Sequence, residues 1–337
     1  MTNSAPVPGF AVGLVEPTTL LGRDVHAVLK ERAFPASKIH LFHQTPEPGG
    51  ILTEDDDEVA FVAALAPDAL ETCRIAFLCG SAADTQRFLA SRTDSCLAID
   101  LSGARGAGPL VVPSEEGALR SLPPGDVLVL PHPVAFVLAE AIAVVDALVP
   151  VTEATVAVDR PASELGKAAL DEMFGQAVAL AAFRPVPKEV LGTQGAFNAF
   201  LPADTEEFER RVVDDVVALL ARPLPLGLLS ARVGVFHGHL LRLELRHGGD
   251  APTPAALLAA FRAKKSAFDI VDREDLSGPV ESAGRDETLV LRADSSGRSV
   301  RLTLAADHLR RAGAILAVRL AEQALSEGRL ANGGSGG

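Results

Sequence analysis

Along the first 130 residues, short apolar runs alternate with stretches in which apolar side chains recur every three or four positions. Residues 9–15 (GFAVGLV), 38–42 (KIHLF), 74–78 (RIAFL), 96–101 (CLAIDL) and 126–130 (DVLVL) have the short apolar pattern of strands buried on both faces, and residues 20–32 and 82–91 carry a helical period between them. This alternation predicts an α/β fold whose first part is a doubly wound parallel sheet of the Rossmann type. Beyond residue 130 the pattern changes. Helices are expected over 134–148, 164–180 and 206–220, the last with Asp204, Glu206 and Glu207 at its positive end, and a Pro- and Gly-rich irregular stretch over 183–202. Strands are expected over 155–159, 232–236 and 240–246, a hairpin of 288–293 and 299–304 turning at 295–297, and a closing helix over 309–325. In 240–246, Leu241, Leu243 and Leu245 alternate with Arg242, Glu244 and Arg246, so one face of that sheet meets solvent or a partner.

At 337 residues the chain is long enough for two domains. Residues 1–130 are assigned to the Rossmann-like domain, 131–304 to a second α/β domain, 305–326 to a closing helix, and 327–337, ending in GGSGG, to a flexible tail. Charge narrows the partners: 31 Lys and Arg against 44 Asp and Glu leave a net −13, which repels phosphate backbones and anionic lipid. Neither nucleic acid nor a membrane is expected. The most apolar stretch, 135–151, is interrupted by Glu140 and Asp146, and no export leader is visible, so a cytoplasmic protein is expected. Cys73, Cys79 and Cys96 form no CxxC pair, so no disulfide framework and no metal site is predicted.

A phosphate cradle needs glycines in the turn between the first strand and the first helix, so that backbone amides can approach the anion. Here the turn runs Glu16-Pro17-Thr18-Thr19-Leu20-Leu21-Gly22. Only the last glycine of a GxxGxxG pattern is present, and Glu16 puts a carboxylate where a pyrophosphate would sit. Thr18, Thr19, Gly22 and, from the end of the 74–78 strand, Cys79 are the remaining cofactor-side candidates, with Thr18 or Thr19 also suited to capping the helix. Dinucleotide affinity is expected to be weak or lost.

Eight blocks in order, among them VGLVEPTTLLGRDVHAVLKERAFP, CLAIDLSG, LVLPHPVA, GKAALDE, GAFNAFLP, RVGVFHGH and AADHLRRAGAILAVRLAEQ, resemble the aspartate-semialdehyde dehydrogenases over nearly the whole chain. The resemblance implies an NADP-binding Rossmann domain, a second domain that forms a homodimer, and a closing helix that packs back on the first. It also implies a reductive dephosphorylation of aspartyl phosphate through a cysteine thioester. The family's nucleophile lies in an N-P-N-C segment at a helix start, where the positive helix end favours a thiolate. The matching segment here is Leu130-Pro131-His132-Pro133, so Pro133 stands at the nucleophile position, and no thioester can form there.

Other positions are carried over one by one. Arg232 and His239, seven apart, match the family's substrate-carboxylate arginine and acid/base histidine, with a strand salt bridge and a surface histidine as the bland alternative; His237 reads as the exposed neighbour. Arg105 matches the phosphate-binding arginine only with a one-residue shift, and Glu209 stands where the family has a lysine, so it would repel an anionic substrate. Gly166 and Asn198 match but serve turns equally well, and Lys167 and Arg310 read as solvated charges. Cys79, at the end of a strand, is the remaining thiol candidate; the alternative for it, and the reading for Cys73 and Cys96, is packing.

Three readings follow. The first is an inactive pseudoenzyme, homodimeric or bound to a protein partner, with no cofactor. The second is an active NADP-dependent oxidoreductase of amino-acid biosynthesis using Cys79 or an unrecognised nucleophile. The third is a sensor that holds a carboxylate on Arg232 and His239 without turnover.

Overall fold

The structure is a computed structural model that describes residues 10–44, 51–53, 59–113, 119, 127–272 and 277–329. Gly9 and Asp126 of the expected strands, and the GGSGG run, lie outside the described residues. The chain forms two compact units, Met1–Pro131 with Gly313–Gly337, and His132–Ala312.

The first unit is built on β1 (Ala11–Val15), β2 (Lys38–His43), β3 (Ile51–Thr53), β4 (Val59–Ala64), β5 (Cys73–Leu78), β6 (Leu97–Asp100) and β7 (Val127–Val129), in the order β3-β4-β2-β1-β5-β6-β7. Every pairing is parallel except β3 with β4. Strand order reverses direction between β1 and β5, the point at which open α/β sheets bind ligands. The apolar runs become the central strands because both faces are covered: Val12, Leu14, Ile75, Phe77 and Ile99 are almost fully buried. Helix α1 (Leu20–Glu31) starts at Thr19, whose hydroxyl accepts from Gly22 N at 2.9 Å, a cap worth about 1 kcal/mol. Helix α2 (Ala82–Ser91) is capped by Ser81 in the same way. Strands β3 and β4 were not expected from the sequence; β4 (VAFVAA) lies between segments that break its pattern, and Phe61 in it is exposed.

The second unit opens with α3 (Pro133–Asp146), apolar on nearly every side and buried accordingly; its one inner carboxylate, Glu140, is met by the buried Arg311 at 2.6 Å. There follow β8 (Val151–Arg160), α4 (Lys167–Ala181), β9 (Ala199–Phe200), α5 (Thr205–Leu220), β10 (Leu226–Val233), β11 (His239–His247), α6 (Pro254–Ala263), β12 (Phe268–Ile270), β13 (Thr288–Ser296) and β14 (Ser299–Ala306). They give a mixed sheet ordered β12-β13-β14-β11-β8-β10-β9. The chain then returns to the first unit with α7 (Ile315–Ser326), where Glu322 takes two hydrogen bonds from Arg32 beyond α1, at 2.8 and 2.6 Å.

Three expectations are corrected. The helix expected over 164–180 is split: Ala162–Leu165 is one 3-10 turn, and Gly166, at φ +84, breaks the chain before α4 begins. The strand expected over 232–236 runs instead over Leu226–Val233, and just beyond it Gly234 N donates to Asn198 O at 2.8 Å. The helix expected from 309 begins with a π-helical turn, Arg310–Ala314, and is regular only from Ile315. The alternation in 240–246 is realised in β11, where Leu241, Leu243 and Leu245 are buried and Arg242, Glu244 and Arg246 exposed. Strand β12 and helix α6 were not anticipated.

Candidate functional site

In the second unit, three adjacent strands end on one carboxylate. Strand β10 runs parallel to β8 with Arg232 opposite Arg160, and β11 runs antiparallel to β8 with Leu240 opposite Asp159. Two arginines side by side on a ladder repel each other. The 3-10 turn after β8 resolves this by carrying Glu164 back between them. Glu164 Oε2 lies 2.8 Å from Arg160 Nε and 3.3 Å from Arg232 Nη2, while its Oε1 lies 2.6 Å from His239 Nε2. Arg232 and His239 are 1% and 2% exposed. Arg232 Nη1 also donates to Pro161 O at 2.8 Å, and Arg160 makes a paired contact with Asp204 at 3.2 and 2.8 Å and stacks 3.8 Å from the Phe208 ring centre.

The electrostatics follow from that placement. Burial alone raises a carboxyl pKa, but the His239 hydrogen bond and the charges of His239 and Arg160 outweigh it and hold Glu164 well below the usual carboxylate range. Glu164 is therefore an internal anion, seated on the two side chains suited to gripping a carboxylate ligand.

At the start of α3, Pro133 takes the first helical position, where a missing N–H is harmless. His132 caps the helix: its Nδ1 lies 3.2 Å from Val134 N and accepts from it, and its own N–H donates to Asp215 at 2.8 Å. The ring meets Phe208 edge-on. Burial first, then the Arg211 charge, push its pKa down to about 3, so the cap is a neutral imidazole.

The other carried-over positions do not join this cluster. Glu209 Oε1 accepts from Ser230 N at 2.6 Å and from its hydroxyl at 3.1 Å, so its charge is turned onto β10. Asn198 donates to Gln194 O at 2.8 Å and holds the turn before β9, while Gly166 supplies the left-handed link before α4. Lys167 pairs with Asp171 and Arg310 with Asp286. His237, expected to be exposed, is half-buried, because its ring is held between Ser163 Oγ and Asp307 Oδ2, each at 2.9 Å.

In the first unit, Glu16 has φ +61, a left-handed conformation natural to glycine. Its carboxylate turns toward the end of β2, 2.7 Å from His43 Nδ1 and 2.9 Å from Gln44 N, while its Cγ faces Gly80 at the end of β5. The side chain thus lies across the reversal point of the sheet. A side chain on Gly22 would strike Glu16 O at 2.2 Å, so this glycine serves the close approach of turn and helix. Thr19 is the cap, and Thr18 Oγ1 lies 3.3 Å from His43 Nε2. Cys79 is buried at the end of β5, and burial, then the charges of Asp100 and Glu16, push its thiol above the ordinary range. Arg105 is exposed, in the segment after β6.

No family model matches the chain. Over 336 residues it is 25% identical to the USG-1 protein homolog of Azotobacter vinelandii, an alignment covering 96% of this chain and 99% of that one. The aspartate-semialdehyde dehydrogenase of Rickettsia bellii (strain RML369-C) is 24% identical over 333 residues, covering 93% and 97%. Among solved structures, a probable aspartate-semialdehyde dehydrogenase from Pseudomonas aeruginosa superposes with a TM-score of 0.84 at 27% identity, covering 94% of this chain and 98% of that one. The chain's relatives and structural neighbours include several aspartate-semialdehyde dehydrogenases. Its two-unit α/β architecture is that of an aspartate-semialdehyde dehydrogenase.

Sequence reasoning missed Glu164, Arg160 and Asp204. The signal present was Arg160 and Glu164 four apart around Pro161, which read as the end of a strand and the first turn of a helix. Their meeting with Arg232 depends on strand register, which no local pattern reports.

Proposed function

We propose that this chain is an aspartate-semialdehyde dehydrogenase-like pseudoenzyme, retained as a homodimer or as the subunit of a protein partner in the cytoplasm. The observation that carries the reading is Glu164, a carboxylate of the chain itself seated on Arg232 and His239, where a substrate carboxylate would be held. The thiol inventory agrees with it. All three cysteines fall before residue 131, none in the second unit, and all are buried; burial raises Cys73 to about 11 and pushes Cys79 higher. Thioester chemistry needs a thiolate, and the helix start that would generate one carries Pro133 and a neutral His132 instead.

NADP, which the family resemblance implies, does not fit the β1–α1 turn as built. The Glu16 side chain fills the reversal point with negative charge, and the Thr19 hydroxyl already takes the Gly22 amide. No reaction step is derived through it. Turnover through Cys79 needs a thiolate that its surroundings disfavour. Among the described residues no helix is long and apolar enough to cross a membrane.

The test is to give the purified protein aspartate semialdehyde, phosphate and NADP and to follow NADPH absorbance. The expected result is no phosphate-dependent signal above the protein-free control. Turnover abolished by Cys79→Ser overturns the reading.

A further inference from the structure

We propose that His237, Asp307 and His308 form a binding site for a divalent transition metal of the zinc class, which pins the β10–β11 turn to the segment following β14. The fold brings these residues together. His239 and Ala306 are paired on the β11–β14 ladder, so the turn before β11 lies beside the residues after β14. One ligand atom from each of the three residues lies within 4.8 Å of the others. In a tetrahedral zinc site neighbouring donor atoms stand about 3.3 Å apart, so closing on a cation needs a side-chain movement of about 1 Å. His237, half-buried at the surface, has room for it and gives an ion its way in.

The supports of such a site are already in place. Asp307 Oδ1 accepts from Leu309 N and Arg310 N, each at 2.9 Å, and Oδ2 accepts from Gly284 N at 2.8 Å, so three backbone amides orient the carboxylate. Ser163 Oγ engages His237 Nδ1, which leaves Nε2 facing Asp307 Oδ2. Metal-binding histidines are held in this way by a hydrogen bond on their other nitrogen. The turn packs closely on its neighbour: Gly238 has φ +86, and a side chain there would lie 2.4 Å from Pro279 O.

His308 is the observation that points to a ligand. It is 6% exposed, yet neither ring nitrogen has a hydrogen-bond partner among the described residues. Buried imidazoles nearly always find one. Its ring packs at 5.0 Å from His237 and 4.8 Å from His239. Two imidazoles and one carboxylate suit zinc and its late-transition neighbours; magnesium and calcium call for oxygen donors.

The test uses the full chain, stripped with EDTA and titrated calorimetrically with zinc chloride, with magnesium chloride as control and cobalt chloride as a spectroscopic probe. Expected are one saturable zinc equivalent, no magnesium uptake, and visible cobalt bands of a low-coordinate nitrogen–oxygen site. His308→Gln and His237→Gln should each weaken zinc binding by at least about tenfold, with folding checked by thermal melting. His237 is half-buried and its replacement is the safer for the fold, so it decides the matter if His308→Gln fails to fold. Absence of saturable zinc uptake, or uptake unchanged by His237→Gln, overturns the proposal. Neither outcome bears on whether the protein turns over substrate.

Discussion

Two glutamates of the chain, Glu16 and Glu164, stand at the two places proposed above for an anionic ligand, and the fold holds them differently. In the first unit Glu16 lies across the reversal point of the sheet, part-exposed, with one histidine and one backbone amide as partners and a left-handed backbone beneath it. In the second unit Glu164 is nearly buried, among two arginines and a histidine that come from the ends of three strands. A part-exposed ion pair contributes less than a buried cluster, in which removing one charge strands the others. The first replacement is therefore reversible by mutation and the second is not.

The largest effect is expected at the buried site. Glu164→Ala leaves Arg160, Arg232 and His239 facing each other without their shared anion, and should destabilise the protein by about 3–5 kcal/mol in chemical denaturation. A loss below about 1 kcal/mol would place the cluster in the same class as a surface pair.

Acid should separate the elements next. His132 is held neutral in the fold with its pKa pushed down to about 3, against about 6.5 unfolded. Below pH of about 6.5 the unfolded chain binds a proton that the folded chain does not, so stability falls as pH falls, by up to about 1.4 kcal/mol per pH unit. The carboxyl of Glu164 works in the same direction but lower, its contribution being present above about pH 4.3 and lost in stronger acid. His132→Asn keeps a capping side chain and should flatten the upper part of this profile while leaving the lower part.

At the first site, Glu16→Gly removes the charge and supplies the residue that φ +61 favours. Its effect on stability is expected to be small, about 1 kcal/mol either way, since relief of the backbone offsets the loss of His43 and Gln44. Its effect on ligand binding should be larger: calorimetry is expected to show no NADPH binding to the native protein and measurable binding once Thr19→Gly is added. Pro133→Cys, by contrast, should restore no turnover, because Glu164 still occupies Arg232 and His239. The smallest expected change is Thr19→Ala alone, which removes the α1 cap at a cost of about 1 kcal/mol in thermal melting.

The contrast between the sites also explains what was legible in the sequence. Glu16 could be read directly, because the strand, the turn and the capped helix are contiguous and the departure from GxxGxxG is local. The parallel strands of the first unit were legible for the same reason, each being an apolar run bounded by turn residues. The Glu164 cluster joins residues 160, 164, 204, 232 and 239, and its existence depends on Arg232 standing opposite Arg160 in a parallel ladder. Gly166 also misled, since its φ of +84 splits what reads as one continuous helix into a turn that aims Glu164 inward and a helix that does not. His308 was invisible because its neighbours come from the far side of a ladder.

The most direct test of the central claim is a calorimetric titration of the native protein with L-aspartate as a carboxylate probe. Because Glu164 already occupies Arg232 and His239, no saturable binding is expected. Saturable binding that disappears in Arg232→Lys would contradict the account, since it requires those two side chains to be open to a ligand after all.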